Sequence, residues 1–206
     1  MNRMLELVVA TKNKKKLKEI REILKGLKVK ITSLGDYKDC PRIIENGKSF
    51  QENAAKKAVK TARHLGKFTL GEDSGLCIHA LGGRPGIYSS RFAGKNKSDR
   101  QNNLKVLKLL EGLPLTRRKA YYACAVALAD KGGLVKITEG RCSGLIGFEH
   151  RGAHGFGYDP LFLIPEYKKT FAELGERIKH KMSHRYKALL KVRKIIQKYI
   201  EKHKGS

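Results

Sequence analysis

Two acids stand side by side, Glu72 and Asp73, at the head of the stretch GEDSGLCIHALGGRPGIYSSRFAG (Gly71 to Gly94), in a chain with 45 Lys and Arg against 19 Asp and Glu. A carboxylate in such a place can hold a hard cation such as Mg2+ through one oxygen, or take the proton of an attacking water. The pair sits where the run KFTL, which reads as a strand, meets a glycine turn. Neighbouring strand residues face opposite sides, so at most one of the two acids serves a given site. Either acid could be the one that serves, and Glu45 is a candidate second metal ligand. The competing reading is a turn cap, since Asp-Ser-Gly is ordinary turn chemistry.

Three other groups could do chemistry. ATKNKKK (Ala10 to Lys16) falls at a strand-to-helix turn, where free amides, the helix dipole and Lys12, Lys14, Lys15 and Lys16 would suit a triphosphate. It lacks the GxxxxGK[ST] pattern of a P-loop, and a solvated lysine run at a helix start explains it equally well. GFGYDP (Gly155 to Pro160) offers Phe156 and Tyr158 as flat faces for a base and Asp159 as an acceptor, or else a buried aromatic turn. In KHKMSHR (Lys179 to Arg185), Ser183 reads as the N-cap of the last helix. His184 and Arg185 then occupy its first turn, where cations are disfavoured by the dipole unless a ligand or a partner acid faces them. The remaining histidines have no metal-ligand spacing, and the four cysteines form no C-x-x-C pair.

The elements that must position these residues are legible in outline. LELVVAT (Leu5 to Thr11) reads as a buried strand. Leu17, Ile20, Leu24 and Leu27 have helical spacing, and Val29 to Ser33 reads as a second strand. Ser49 and Glu52 open a helix over about residues 50–65, with a small-residue face at Ala54, Ala55, Ala58 and Ala62. Ser98 and Gln101 repeat that start. KAYYACAVALAD and LVKITEGRCSGLI, joined through KGG, make an antiparallel hairpin, and DPLFLIP is a further strand. Leu189, Val192, Ile196 and Tyr199 share one face of the last helix. With no repeat and no linker, residues 1–206 read as one domain of α/β class, a mixed, partly antiparallel sheet with flanking helices.

The hydrophobic fraction, 40%, is that of a globular chain, whereas the net charge of +26 is far outside the ordinary. Such charge points to a polyanion (nucleic acid, an acidic membrane face or a phosphorylated small molecule) or to a solvated lysine-rich surface. Scattered cysteines and the short apolar run at the N-terminus suggest a cytoplasmic protein without a membrane span.

Taken in order, ATKNKKKLKEI, SFQENAAKKA, the Gly71–Gly94 block, GFGYDPLFLIPEYKKTFAEL and KHKMSHRYKALL are similar to the inosine triphosphatase (Ham1-like) family, pyrophosphatases of noncanonical purine nucleoside triphosphates. The likeness runs from about Leu7 to the final helix. It implies two lobes with a central cleft, usually in a homodimer, and Mg2+-dependent hydrolysis of dITP, ITP and XTP to the monophosphate and pyrophosphate. It assigns Thr11, Lys12, Asn13, Lys14, Lys15 and Lys16 to the triphosphate, and Asp73 to the metal and the reacting water, with Glu45 as the second metal acid. Ser74, the segment Phe156, Gly157, Tyr158 and Asp159, and Lys179 are assigned to substrate, and His184 and Arg185 to the base. Glu72 departs from the aspartate more usual at that place.

Three rivals stand beside it. Charge favours a nucleic-acid binder, although no helix-turn-helix, zinc finger, RRM or KH signature occurs, so no specific nucleic-acid partner is expected. A Maf-like pyrophosphatase of modified pyrimidines would open on Ser-x-Ser-Pro-Arg-Arg, which is missing. An interaction protein with a dead site is the third, and the intact Asp73, Ser74, His184 and Arg185 argue against it.

Overall fold

A computed structural model describes residues 4–40, 42–94 and 98–202. The apolar run Leu5–Val9 is strand β1. Asn13 then caps helix α1 (Lys14–Ile23), which turns Ile20 and Ile23 inward. Strand β2 (Val29–Ser33) and strand β3 (Phe68–Ile78) both pair parallel to β1. Helix α2 (Phe50–Leu65) begins where the Ser49 side chain accepts from the Glu52 amide and ends at Gly66, whose φ of 63° is left-handed. Helix α3 (Asp99–Leu109) starts on a capping box of Ser98 and Gln101. Strands β4 (Lys119–Asp130) and β5 (Gly133–Ile146) are neighbours joined by Lys131 and Gly132 alone, which is the expected hairpin. Strands β6 (Phe162–Ile164) and β7 (Lys169–Thr170) lead into helices α4 (Phe171–Met182) and α5 (His184–Lys202). The sheet has seven strands in the order β2-β1-β3-β4-β5-β6-β7, parallel across β2-β1-β3 and antiparallel across β5-β6-β7. The chain is therefore α/β with a mixed sheet and flanking helices.

One expectation about the elements needs correction. The acid pair is not at a strand end, because β3 runs on through Asp-Ser-Gly to Ile78 and the tight turn falls at Gly82 and Gly83, with φ of 62° and 84°. Pairing in the sheet overrides the local turn preference of Asp-Ser-Gly. Helix α4 is an element without a sequence expectation, although Thr170 and Glu173 form a complete capping box at its start. Ser183 closes α4 and, with extended backbone directly before His184, takes the expected N-cap place of α5.

The chain divides into two compact units: residues 1–73, 124–140 and 185–206 in one, 74–123 and 141–184 in the other. In the first unit β4 alternates two kinds of residue. Cys124, Val126 and Leu128 join Leu7, Val9 and Leu70 under α1 and α5, where Ile20, Leu24, Leu189, Val192 and Ile196 complete a core. Ala125, Ala127 and Ala129 face Ala54, Ala58 and Ala62 of α2. That alanine seam brings helix and sheet backbones close together. Gly71 marks the tightest point: a Cβ there would lie 2.2 Å from the Ala54 carbonyl oxygen and 2.6 Å from the Ala58 nitrogen. Gly71→Ala should push α2 outward and cost about 1–3 kcal/mol, read as a lowered Tm; an unchanged Tm would show the seam to be loose.

In the second unit Leu76, Ile78, Val106, Leu110 and Ile146 pack with an aromatic group. Tyr122, Phe162 and Phe171 form its centre, with ring centroids 4.7 Å apart for Tyr122–Phe162 and 5.2 Å for Phe162–Phe171. No helix among the described residues is long and apolar enough to cross a membrane.

Candidate active site

The alternation of β3 sends the two acids to opposite sides, and each finds its own positive partners. Asp73 turns toward α2. Its Oδ1 lies 3.2 Å from Lys57 Nζ, and its Oδ2 accepts from Asn53 Nδ2 at 3.1 Å. The same ammonium reaches Glu45 Oε2 at 2.7 Å and donates to the Glu72 carbonyl oxygen at 3.1 Å. Asp73 and Glu45 thus converge on one cation. Asn53 also accepts from the Gly47 amide at 2.8 Å, which ties the loop carrying Glu45 to the helix that carries Lys57.

Burial raises the Asp73 pKa above its ordinary value, with Glu72 and Glu45 adding to the rise and Lys57 and Lys16 opposing it. Burial works against the Lys57 charge, yet the surrounding carboxylates, Asp73 foremost, raise its pKa on balance. The ammonium stays charged.

Glu72 turns the other way, toward α1 and α5. Its carboxylate meets Lys16 Nζ at 2.8 Å and Arg185 Nη2 at 3.1 Å, and the Cys124 thiol donates to it. Arg185 Nη1 donates to Glu19 of α1. Arg185 is 1% exposed and Glu19 6%. The residue assigned to the base is therefore engaged, in its own unit, in a buried ionic triad.

The turn before α1 is a capped helix start. Asn13 Oδ1 accepts from the amides of Lys15 and Lys16 at 3.0 and 3.1 Å, and Thr11 Oγ1 accepts from the Asn13 amide at 3.1 Å. The expected cradle of free amides is thus partly filled by the turn's own side chains. Lys12, Lys14 and Lys15 are exposed, and Lys16 is held back against Glu72.

In the second unit Asp159 is the hub. Its Oδ2 is 2.6 Å from Lys179 Nζ and accepts from the Phe156 amide at 2.9 Å. The Tyr122 hydroxyl lies 3.4 Å from its Oδ1. Gly155 is required here: its φ is 79°, and a Cβ would come 2.1 Å from Asp159 Oδ2. Gly157 is held by Asp99 through its amide and by Asn103 through its carbonyl, both bonds from α3. Phe156 is half-buried, with Lys179 Nζ 4.6 Å from its ring centroid. His184 stacks on Tyr122 at 4.6 Å and 11°. Tyr158 is a correction to the expectation of two stacking faces: it is 3% exposed, and its hydroxyl is bonded to the Ser89 carbonyl. Ser74 is half-buried beside Asp73 in β3.

A family model described as the Ham1 family matches residues 7–195. The dITP/XTP pyrophosphatase of Desulforamulus reducens is 46% identical over 94% of this chain and 96% of its own length, and that of Rhodopirellula baltica is 47% identical over 92% and 91%. The solved Ham1 protein from Coxiella burnetii superposes with a TM-score of 0.86 at 39% identity, covering 95% of this chain and all of the other. The Staphylococcus aureus Ham1 protein gives 0.85 at 34% identity over 94% and 99%. The chain belongs to the Ham1 family.

The contacts of Asp73 add two candidate site residues that the sequence reading passed over, Lys57 and Asn53. The signal was present: Asn53, Lys57 and Thr61 recur every four residues on α2, all buried, beside the alanine seam. A polar stripe on a buried helix face has to be satisfied by something.

The donor set also bears on a metal. No group of three or more His, Cys, Asp or Glu able to hold a metal occurs among the described residues of this Ham1 chain. Two carboxylates sharing one cation do occur, in Asp73 and Glu45. That set fits Mg2+, which takes hard oxygen donors, often from one or two carboxylates, and completes its shell with waters and substrate phosphates.

Proposed function

We propose that this chain hydrolyses noncanonical purine nucleoside triphosphates, dITP or ITP and XTP, to the monophosphate and pyrophosphate, and so clears deaminated purines from the nucleotide pool. The observation that carries the reading is identity of 46–47% over more than nine-tenths of this chain to proteins named dITP/XTP pyrophosphatase. The paired acids on Lys57 support it chemically.

In this reading Asp73 orients the attacking water and accepts its proton. Its raised pKa makes it a stronger base than an ordinary aspartate. Asp73 and Glu45 would hold Mg2+, with the Lys57 ammonium keeping the two carboxylates together in its absence. When bound, the ion would stabilise negative charge gathering on the phosphates and the leaving pyrophosphate. Lys12, Lys14, Lys15 and Lys16 grip the phosphate chain, so positioning supplies much of the rate. Thr11 and Asn13 set the turn that presents them.

Selectivity needs a donor for the C6 carbonyl of hypoxanthine or xanthine. The same donor would meet the adenine amine donor-to-donor and leave buried groups unpaired, which discriminates strongly. Lys179, oriented by Asp159 and lying over Phe156, is the residue we assign to that task, with His184, stacked on Tyr122, as a second base-side residue. Ser74, Gly157 and Tyr158 shape the substrate segment. We place the enzyme in the cytoplasm as a homodimer.

The test is a panel of dITP, ITP, XTP, ATP and GTP with Mg2+, with pyrophosphate and phosphate measured separately. Pyrophosphate should be released from the first three, activity should vanish with a chelator, and added Mg2+ should restore it. Release of phosphate alone would mean attack at the γ-phosphorus and defeat the proposal.

A further inference from the structure

Most of the charge of +26 has no part in that reaction, and a share of it is aligned on one element. Helix α5 carries Lys187, Lys191, Lys194, Lys198 and Lys202, all exposed, at intervals of four, three, four and four residues. Those intervals put them in one stripe, about 22 Å long at the helical rise per residue. The opposite side of the helix is core: Ala188, Leu189, Val192 and Ile196 are 0% exposed. Arg193 fixes α5 to α1 by donating to the Ile23 and Lys25 carbonyls. Helix α1 adds Lys18 and Arg21, and Lys25 follows just beyond its end, again exposed. The acids on the solvent side of the two helices are Glu22 and Glu201.

A helix face built for solubility mixes signs, because Glu–Lys pairs four apart attract and Lys–Lys pairs four apart repel. The α5 stripe keeps the repulsion from Lys187 to Lys198, and Glu201 enters only near its end. Its complement is a rod of regularly spaced negative charge. We propose that this stripe, with the basic side of α1 beside it, binds the phosphate backbone of nucleic acid without reading bases. Lysines are point charges and lack the fork that reads a guanine edge, so the binding carries no sequence preference. An anionic membrane is the weaker fit, since an interfacial helix buries its apolar face in lipid and that face of α5 is already packed inside the unit.

The test uses the full chain and a fluorescently labelled 20-base-pair duplex, followed by anisotropy from 50 to 200 mM salt. Five lysine contacts predict a slope of log affinity against log salt of about −4.5, so affinity falls about 500-fold over that range. The variant Lys187→Gln/Lys194→Gln/Lys198→Gln should flatten the slope to about −1.8 and the fall to about 12-fold, with pyrophosphate release unchanged. A charge-matched control, Lys108→Gln/Arg117→Gln/Lys119→Gln, should behave as the parent, and two duplexes of unrelated sequence should bind alike. The proposal is overturned if the control weakens binding as much as the stripe variant, if the stripe variant keeps the parent slope, or if phosphatidylserine vesicles are bound while the duplex is not.

Discussion

Asp73→Asn is expected to keep the fold and lower kcat on dITP by about a thousandfold, with little change in KM. Asparagine keeps the shape and can still pair with Asn53, so binding survives while the proton acceptor is lost. The same variant makes a prediction about stability with a definite sign. Burial raises the Asp73 pKa above 3.8, against the pull of Lys57 and Lys16. The folded chain therefore holds that proton more tightly than the unfolded chain does. Stability contributed by the protonated group is present below the unfolded pKa and is lost as pH rises through the folded one. At neutral pH the parent carries the full cost of a buried carboxylate, and the asparagine variant does not. Its Tm at pH 7 should equal or exceed the parent's, and the difference should close as pH falls toward the unfolded value. A kcat near the parent's would remove Asp73 from the chemistry. A Tm well below the parent's would mean that the charge holds the fold together.

That trade-off places the residue where local rules and function conflict, and the sequence was legible up to such places. Helix α2 could be read because Ser49, Glu52 and Gly66 punctuate it and its alanines repeat on one face. The opposite orientations of Glu72 and Asp73 follow from strand geometry alone. The end of β3 could not be read, because Asp-Ser-Gly has turn chemistry in isolation and only pairing with its neighbours keeps it extended. Helix α4 is short and broken at Gly175, whose φ of 75° interrupts the apolar period, so its capping box was the one clear sign. Lys57 was hidden by company, as one of 45 basic residues, and burial is what sets it apart. The site residues taken from the family resemblance fare by environment. Lys179 and Asp159 form a buried pair, while Tyr158 proves to be core. Arg185 is the hardest case, because its partner Glu19 is 166 residues away and no local pattern reports such a contact.

Arg185→Ala should therefore destabilise the chain by about 3–5 kcal/mol, because it strands two buried carboxylates. Burial disfavours the guanidinium charge, but Glu72 and Glu19 more than offset this and hold the pKa well above its ordinary value. Glu72 in turn holds Lys16, so the loss spreads to the turn that grips phosphate. Activity on ITP and on ATP should fall by similar factors, because phosphates are common to both. If Arg185 instead contacts the base, the variant would keep a Tm near the parent's and lose its preference for ITP. A second measurement separates the two cases even where Arg185→Ala folds poorly. Adding Glu19→Gln to Arg185→Met removes one of the stranded charges, so the double variant should be more stable than Arg185→Met alone, a coupling that a double-mutant cycle reads directly. A base contact gives no such recovery, since Glu19 would then have lost a partner it never needed.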